Sequence, residues 1–246
     1  MPSLSLVIVD NIQHDLAKFS IDQTCQHITP DEIIVFSDKD FYSGSRFVSI
    51  KKSITVYDYS ELILKHLRLH LNTDFALIIQ FDGMAVNGAA WTDEFYNYDY
   101  IGAPWPWFPA GSQVGNGGFS LRSHRLISAL RDQRIQLGGK SGELEDIAIC
   151  REFRPYLETN YNIKFAPTSL AKQFSVENID AENPFGFHGI WNTVRFLNKT
   201  QLEYIIEHMP DHVWKTSCKY QRFFELLAEK NYIDLLEHCY QQIQQT

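Results

Sequence analysis

The chain has 246 residues, 44% of them hydrophobic, which is enough to bury the core of one generous α/β domain, or of one domain with a small appendage, without recourse to disorder or a disulfide scaffold. Its net charge of −8, with no run of Lys or Arg, excludes a nucleic-acid face that works by neutralising phosphates and a basic membrane stripe. Cys25, Cys150, Cys218 and Cys239 form no CxxC pair, and no segment approaches the roughly 20 apolar residues of a membrane span, so free thiols in a non-spanning, cytoplasmic protein are expected.

The N-terminal run Leu4–Val9 is short, apolar and rich in aliphatic residues, and it ends at Asp10-Asn11. It reads as a buried strand. A helix over about residues 12–27 and a second strand from Glu32 to Phe36, ending at Ser37-Asp38, complete a β-α-β spacing that argues for parallel strands. Ligands of such sheets sit beyond the carboxyl ends of the strands, so Asp10, Asn11, Ser37 and Asp38 are candidates for holding a nucleotide. Capping of helices and turns is the competing use of these residue types. A third strand is expected near Arg46–Ile50, and a helix at Ser60–Leu71 with Ser60 as its N-cap. The clearest central strand, Phe75–Phe81, runs straight into Asp82-Gly83. A loop-rich aromatic stretch follows to Ser112, then a glycine-dense segment to Ser120 and a helix at His124–Asp132. Beyond a turn at Gly138–Gly142 come a helix at Glu145–Tyr156, a short strand at Ile163–Ala166 and a glycine-aromatic loop at Asn183–Gly189. Three amphipathic patterns, Gln201–His208, Lys219–Lys230 and Tyr232–Gln242, predict a helical C-terminal extension over residues 200–246, packed on a domain of residues 1–199.

Four segments could carry chemistry. In Gln80-Phe81-Asp82, alternation sends the two polar side chains to one side, where a carboxylate could hold a hard cation. In Gly115-Asn-Gly-Gly118, three glycines in four residues allow a backbone to approach a ligand closely. The segment lacks the Gly-Lys-Ser/Thr of a phosphate loop, and Arg122 stands where a serine nucleophile elbow needs glycine. Glu143, Glu145 and Asp146 crowd three acids before a helix, which suits either a raised carboxyl pKa or favourable charge at a helix N-terminus. His188, in Phe185-Gly-Phe-His-Gly189, could meet a metal or a phosphate, or pack among aromatics. His66 and His70 share helical spacing without a third ligand and read as surface residues.

With Tyr98-Asp-Tyr-Ile-Gly-Ala-Pro-Trp105, residues 115–122, Glu145-Asp146 and Asn183–Gly189 in view, the sequence resembles the GT-A glycosyltransferases. More closely it resembles a bacterial glycosyltransferase-like family known only as a domain of unknown function. The likeness covers roughly residues 4–195. It implies an α/β fold with a mixed, mostly parallel sheet flanked by helices, and transfer of a sugar from a nucleotide-sugar donor, UDP-linked by default, to a glycan or glycoconjugate. By position it implies that Asp82 and His188 bind Mn²⁺ or Mg²⁺, that Gln80, Gly117 and Gly118 lie at the donor, and that Asp146 is the base, with Glu145 as alternate. Trp105 and Trp107 could floor the acceptor site or anchor the core, and Arg122 could meet phosphate or support Glu145 or Asp146. Gln80 departs from the pattern by replacing the first acid of the DxD motif. That departure keeps a catalytically silent binding module, or an assembly subunit, as the alternative reading. A nucleotidyltransferase ranks lower, since Val9-Asp10-Asn11-Ile12 holds no basic, glycine-rich phosphate loop.

Overall fold

Alternation along the first strand dictates the layering. In β1 (Leu4–Val9) every residue is buried, with Leu6 and Ile8 in the hydrophobic cluster on one face and Val7 and Val9 in the cluster on the other. The computed structural model describes residues 1–139, 142–209 and 220–245; Cys218 and Lys219, the latter the expected start of a helix, lie outside them, as do Lys140 and Ser141 of the expected glycine turn. The central sheet adds β2 (Glu32–Ser37), β3 (Arg46–Ser49), β4 (Phe75–Ile79), β6 (Tyr100–Gly102) and β7 (Phe119–Ser123) in the order β3-β2-β1-β4-β7-β6. The β3–β2, β2–β1 and β1–β4 pairs are parallel, whereas β7 runs antiparallel to both β4 and β6. Helix α1 (His14–Cys25) connects β1 to β2, and α3 (His124–Ala129) leaves β7 with Ser123 as its N-cap. The fold is therefore the mixed, mostly parallel α/β sheet flanked by helices that the sequence predicts.

One reversal positions the site. Because β7 is antiparallel, its first residues lie at the same sheet edge as the last residues of β1 and β4, and Val9 leads into Asp10 there while Ile79 leads into Gln80. The glycine segment before β7 thus opens onto the ends of the parallel strands. A second, small sheet, β5-β9-β8, is made of β5 (Met84–Ala85), β8 (Ser175–Val176) and β9 (Gly186–Phe187), with α6 (Thr168–Phe174) leading directly into β8. It delivers His188 directly after β9, with the His188 N–H donating to the Val176 carbonyl at 2.9 Å.

Helices α7 (Ile190–Phe196), α8 (Lys199–His208), Gln221–Glu229 and Ile233–Gln245 follow. Asn198 and Gln201 cap the start of α8 reciprocally. Leu202, Ile206, Phe223, Leu227 and Leu235 share one buried cluster with Met84, Val176 and Phe187 of the small sheet and Leu16 of α1.

Several boundaries differ from the sequence reading. The second helix, α2 (Val56–Glu61), begins earlier than Ser60, because Thr55 and Asp58 form a reciprocal capping box; Ser60 is instead buried within it and accepts the Glu145 N–H at 3.3 Å. It continues through a π-helical turn at Leu62–His66 and a 3₁₀ turn at Leu67–Leu69. His70 is partly buried, edge-on to Phe36 at 5.1 Å, rather than a plain surface residue. The helix expected at Glu145–Tyr156 is two: α4 (Glu145–Ile147) passes into a π-helical turn at Ala148–Glu152, and α5 (Arg154–Tyr161) restarts with Pro155 in its first turn. Proline tolerates that position and disfavours a helical residue before it. The strand expected at Ile163–Ala166 reduces to a parallel bridge between Phe165 and Tyr100.

Candidate active site

At the shared edge lies a cavity of about 650 Å³, lined by Asp10, Asn11, Gln80, Trp105, Trp107, Gly117, Gly118, Glu145, Asp146 and His188 among others. Residues singled out in the sequence thus come together from segments that run from β1 to the loop after β9. Ser37 and Asp38 do not line it: β2 lies one strand further from the glycine loop, and Asp38 is held by His14 Nε2 at 2.8 Å, which lowers its pKa. Asp82 is not part of the lining itself but contacts the lining residue His188, its Oδ1 3.4 Å from Nε2. Asn116 of the glycine segment also lines the cavity, as do Tyr59, Glu177 and Asn178, which no motif or spacing in the sequence had singled out.

The glycine loop needs glycine for space. Asn116 bends the chain with a positive φ of 33°. A Cβ on Gly118 would sit 2.1 Å from His188 Nε2, and one on Gly117 would sit 2.4 Å from Glu145 Oε1. The loop is therefore sandwiched between the imidazole on one side and the acidic pair on the other.

The two acids have different roles. Arg122 is fully buried and donates to Glu145 Oε1 at 2.7 Å and to Ser120 Oγ at 3.0 Å, with its guanidinium 5.1 Å from the Tyr100 ring centre. Glu145 is thus held in a buried ion pair, and of the partners the sequence offered Arg122 it is Glu145 that the guanidinium meets. Asp146 is different. Its Oδ2 accepts the Gly117 N–H at 3.0 Å and its Oδ1 the Ile147 N–H at 2.7 Å. Burial, and then the neighbouring Glu145 carboxylate, push its pKa up to about 7 against the lowering effect of the Gly117 N–H and Arg122. A carboxyl poised near neutrality on a cavity wall is suited to proton transfer.

His188 sits in a ring of polar atoms. Its Nε2 lies 3.1 Å from Gln80 Oε1 and 3.4 Å from Asp82 Oδ1; its Nδ1 lies 3.1 Å from Glu177 Oε1 and 3.0 Å from Asn116 Nδ2. Burial disfavours charge on the ring, but Asp82 and Glu177 outweigh it and raise its pKa well above the usual value. Gln80 and Asp82 reach the imidazole from a turn just past β4, closed by the Gly83 N–H to the Gln80 carbonyl, rather than from the strand itself. Among the described residues no three His, Cys, Asp or Glu side chains converge as a metal cage, since the two carboxylates address opposite ring nitrogens. On the Nε2 side, however, an imidazole nitrogen, a carboxylate oxygen and an amide oxygen do meet. Asp82 Oδ1 is buried there without a hydrogen-bond partner. That mixed set fits a hard divalent cation taking the place of the Nε2 proton, with further oxygen ligands from outside the protein.

Asp10 turns its Oδ1 back to accept the Ile12 and Gln13 N–H groups at 2.8 and 2.6 Å, so it closes the turn that leads into α1 while lining the cavity. Of the two tryptophans, Trp105 is buried and carries the Arg151 guanidinium 4.7 Å from its ring centre, whereas Trp107 is 62% exposed at the rim.

Residues 45–188 match the model of the family described as protein of unknown function (DUF5672), and the chain belongs to that family. None of the curated proteins matches the chain. Among solved structures, glucosyl-3-phosphoglycerate synthase from Mycobacterium tuberculosis, crystallised with Mn²⁺, uridine diphosphate and phosphoglyceric acid, is 12% identical; the match covers 67% of each chain with a TM-score of 0.44. Another structure of the M. tuberculosis enzyme is 13% identical over 70% of this chain and 77% of its own, with a TM-score of 0.47. Among the described residues no helix is long and apolar enough to cross a membrane.

Proposed function

We propose that the chain is a glycosyltransferase that moves a sugar from a nucleotide-sugar donor, UDP-linked, to a hydroxyl of a glycan or glycoconjugate. The observation that carries this reading is the pairing, across one glycine loop, of a proton-accepting carboxyl with a cation-compatible cluster: Asp146 on Gly117, and His188, joined by Gln80 and Asp82, against Gly118. Transfer requires both, because one end of the reaction loses a proton while the other gains charge.

The acceptor oxygen forms its bond to the anomeric carbon as the bond from that carbon to the diphosphate oxygen breaks. The hydroxyl proton passes to Asp146, and the nucleoside diphosphate departs with the electron pair. Direct displacement of this kind inverts the anomeric centre. Asp82, His188 and Gln80 would hold Mn²⁺ or Mg²⁺, which when bound offsets negative charge on a diphosphate. Gly117 holds Asp146 by its N–H, and Arg122 neutralises Glu145 so that only one of the adjacent acids is available as base. Asp10 and Asn11 face the nucleoside end in this reading, and Trp107 offers a ring at the rim to the acceptor.

The test is thermal unfolding with a panel of nucleotide sugars, with and without Mn²⁺, alongside release of the nucleoside diphosphate. A donor at 100 times its Kd stabilises the native state by about 2.7 kcal/mol. A metal-dependent shift with turnover supports the proposal. A shift without turnover supports the silent binding module that Gln80 keeps open, and no shift with any donor refutes both.

A further inference from the structure

Beside the cavity runs a second, polar groove of about 460 Å³, lined by Glu177, Asn178, Asp180, Trp191, Arg195 and Arg222 with Ile179. Glu177 and Asn178 line the cavity as well, so the two spaces share a wall at the His188 side. Nothing in the reaction described above uses this groove.

Its construction is ordered. The Trp191 ring lies over Gly189, where a Cβ would come within 2.8 Å of it, and its Nε1 donates to the Glu177 carbonyl at 3.2 Å. Asn192 ties the same segment together by donating to the Glu177 and His188 carbonyls at 2.9 and 2.7 Å. Arg195 is clamped by Asn192 Oδ1 at 3.1 Å and by Asp180 Oδ1 at 2.8 Å, while Asp180 is almost fully solvent-facing. Arg222 enters from helix Gln221–Glu229, half exposed, with its Nη1 held by Glu229 Oε1 at 2.9 Å and Glu225 Oε2 at 3.4 Å. The charges are balanced, two acids against two guanidiniums, so the lining does not select a polyanion. An indole flanked by carboxylate, amide and guanidinium groups instead matches a sugar ring. The apolar C–H face packs on the aromatic plane, and neighbouring hydroxyls are bridged by planar polar groups.

We infer that this groove is a second sugar subsite, which holds the ring of a glycan acceptor next to the one being glycosylated. The inference rests on the proposed function and specifies its acceptor as an oligosaccharide of two or more rings. It also gives the C-terminal helices a role, since Arg222 comes from them.

The probes are neutral mono- and disaccharides of the gluco, galacto and manno series, titrated into the full chain by calorimetry and by ligand-observed NMR in the presence of UDP and Mn²⁺. At least one disaccharide should bind about tenfold more tightly than its monosaccharide, a gain of about 1.4 kcal/mol. Trp191→Ala should remove that gain while leaving the UDP-dependent thermal shift intact. Arg222→Ala, at a half-exposed position on helix Gln221–Glu229, should reduce the gain severalfold. Disaccharides that bind no better than monosaccharides, or a gain that survives in both variants, overturn the subsite. Absence of any UDP-dependent shift in the wild type instead overturns the proposed function itself.

Discussion

Asp146 makes two distinct predictions because its protonation links rate to stability. It is held neutral to about pH 7 by burial first and by Glu145 second, so transfer should rise with pH through about 7 and then level off. Asp146→Asn should lower turnover by roughly 10²–10⁴-fold with donor binding retained, as read by steady-state rates beside thermal shift. The stability effect runs the other way. An acid whose folded pKa exceeds its unfolded value, about 3.9, contributes stability that is complete below that value and is lost as pH rises through its folded pKa. The wild type should therefore lose Tm between about pH 4 and pH 7, and Asp146→Asn should lose less; parallel profiles would refute the assignment.

At the scale of elements, the glycine loop and the ion pair behind it hold the site together. Gly118→Ala places a carbon against the imidazole, so the ring must move. The expected outcome is loss of the Mn²⁺-dependent donor shift with about 1–3 kcal/mol of destabilisation, measured by urea unfolding with and without ligand. The Arg122–Glu145 pair is buried, and removing one partner leaves a charge without compensation. Arg122→Met should cost about 3–5 kcal/mol, whereas Arg122→Met combined with Glu145→Leu should recover most of that loss. A double variant as unstable as the single one would mean that lost packing, rather than the uncompensated carboxylate, causes the destabilisation.

Across the whole molecule, the cavity edge and the C-terminal helices are joined by shared burial. Phe187, one residue from His188, packs in the same cluster as Leu202, Ile206, Phe223 and Leu227. A chain ending at residue 199 would expose that cluster, so it should bind ANS and lose a cooperative thermal transition. A soluble, cooperatively folding 1–199 fragment would instead establish the division into a domain and an extension.

The features legible from residue order alone are local in origin. The strands at Leu4–Val9 and from Phe75, the glycine loop and the acidic pair could be read because aliphatic runs, turn residues and spacing act within a few residues of one another, although the second strand ends at Ile79, short of Asp82. The family likeness added the link between Asp82 and His188. How adjacent residues divide the work came from long-range packing instead. Packing gave Glu145 to Arg122 and left Asp146 on the Gly117 N–H; it set Glu177 against one nitrogen of His188 and Asp82 against the other; and it kept Asp38 with His14, away from the cavity. The physical reason is that a charged side chain's role depends on which partner reaches it once water is excluded, and sheet order brings those partners together from distant parts of the chain.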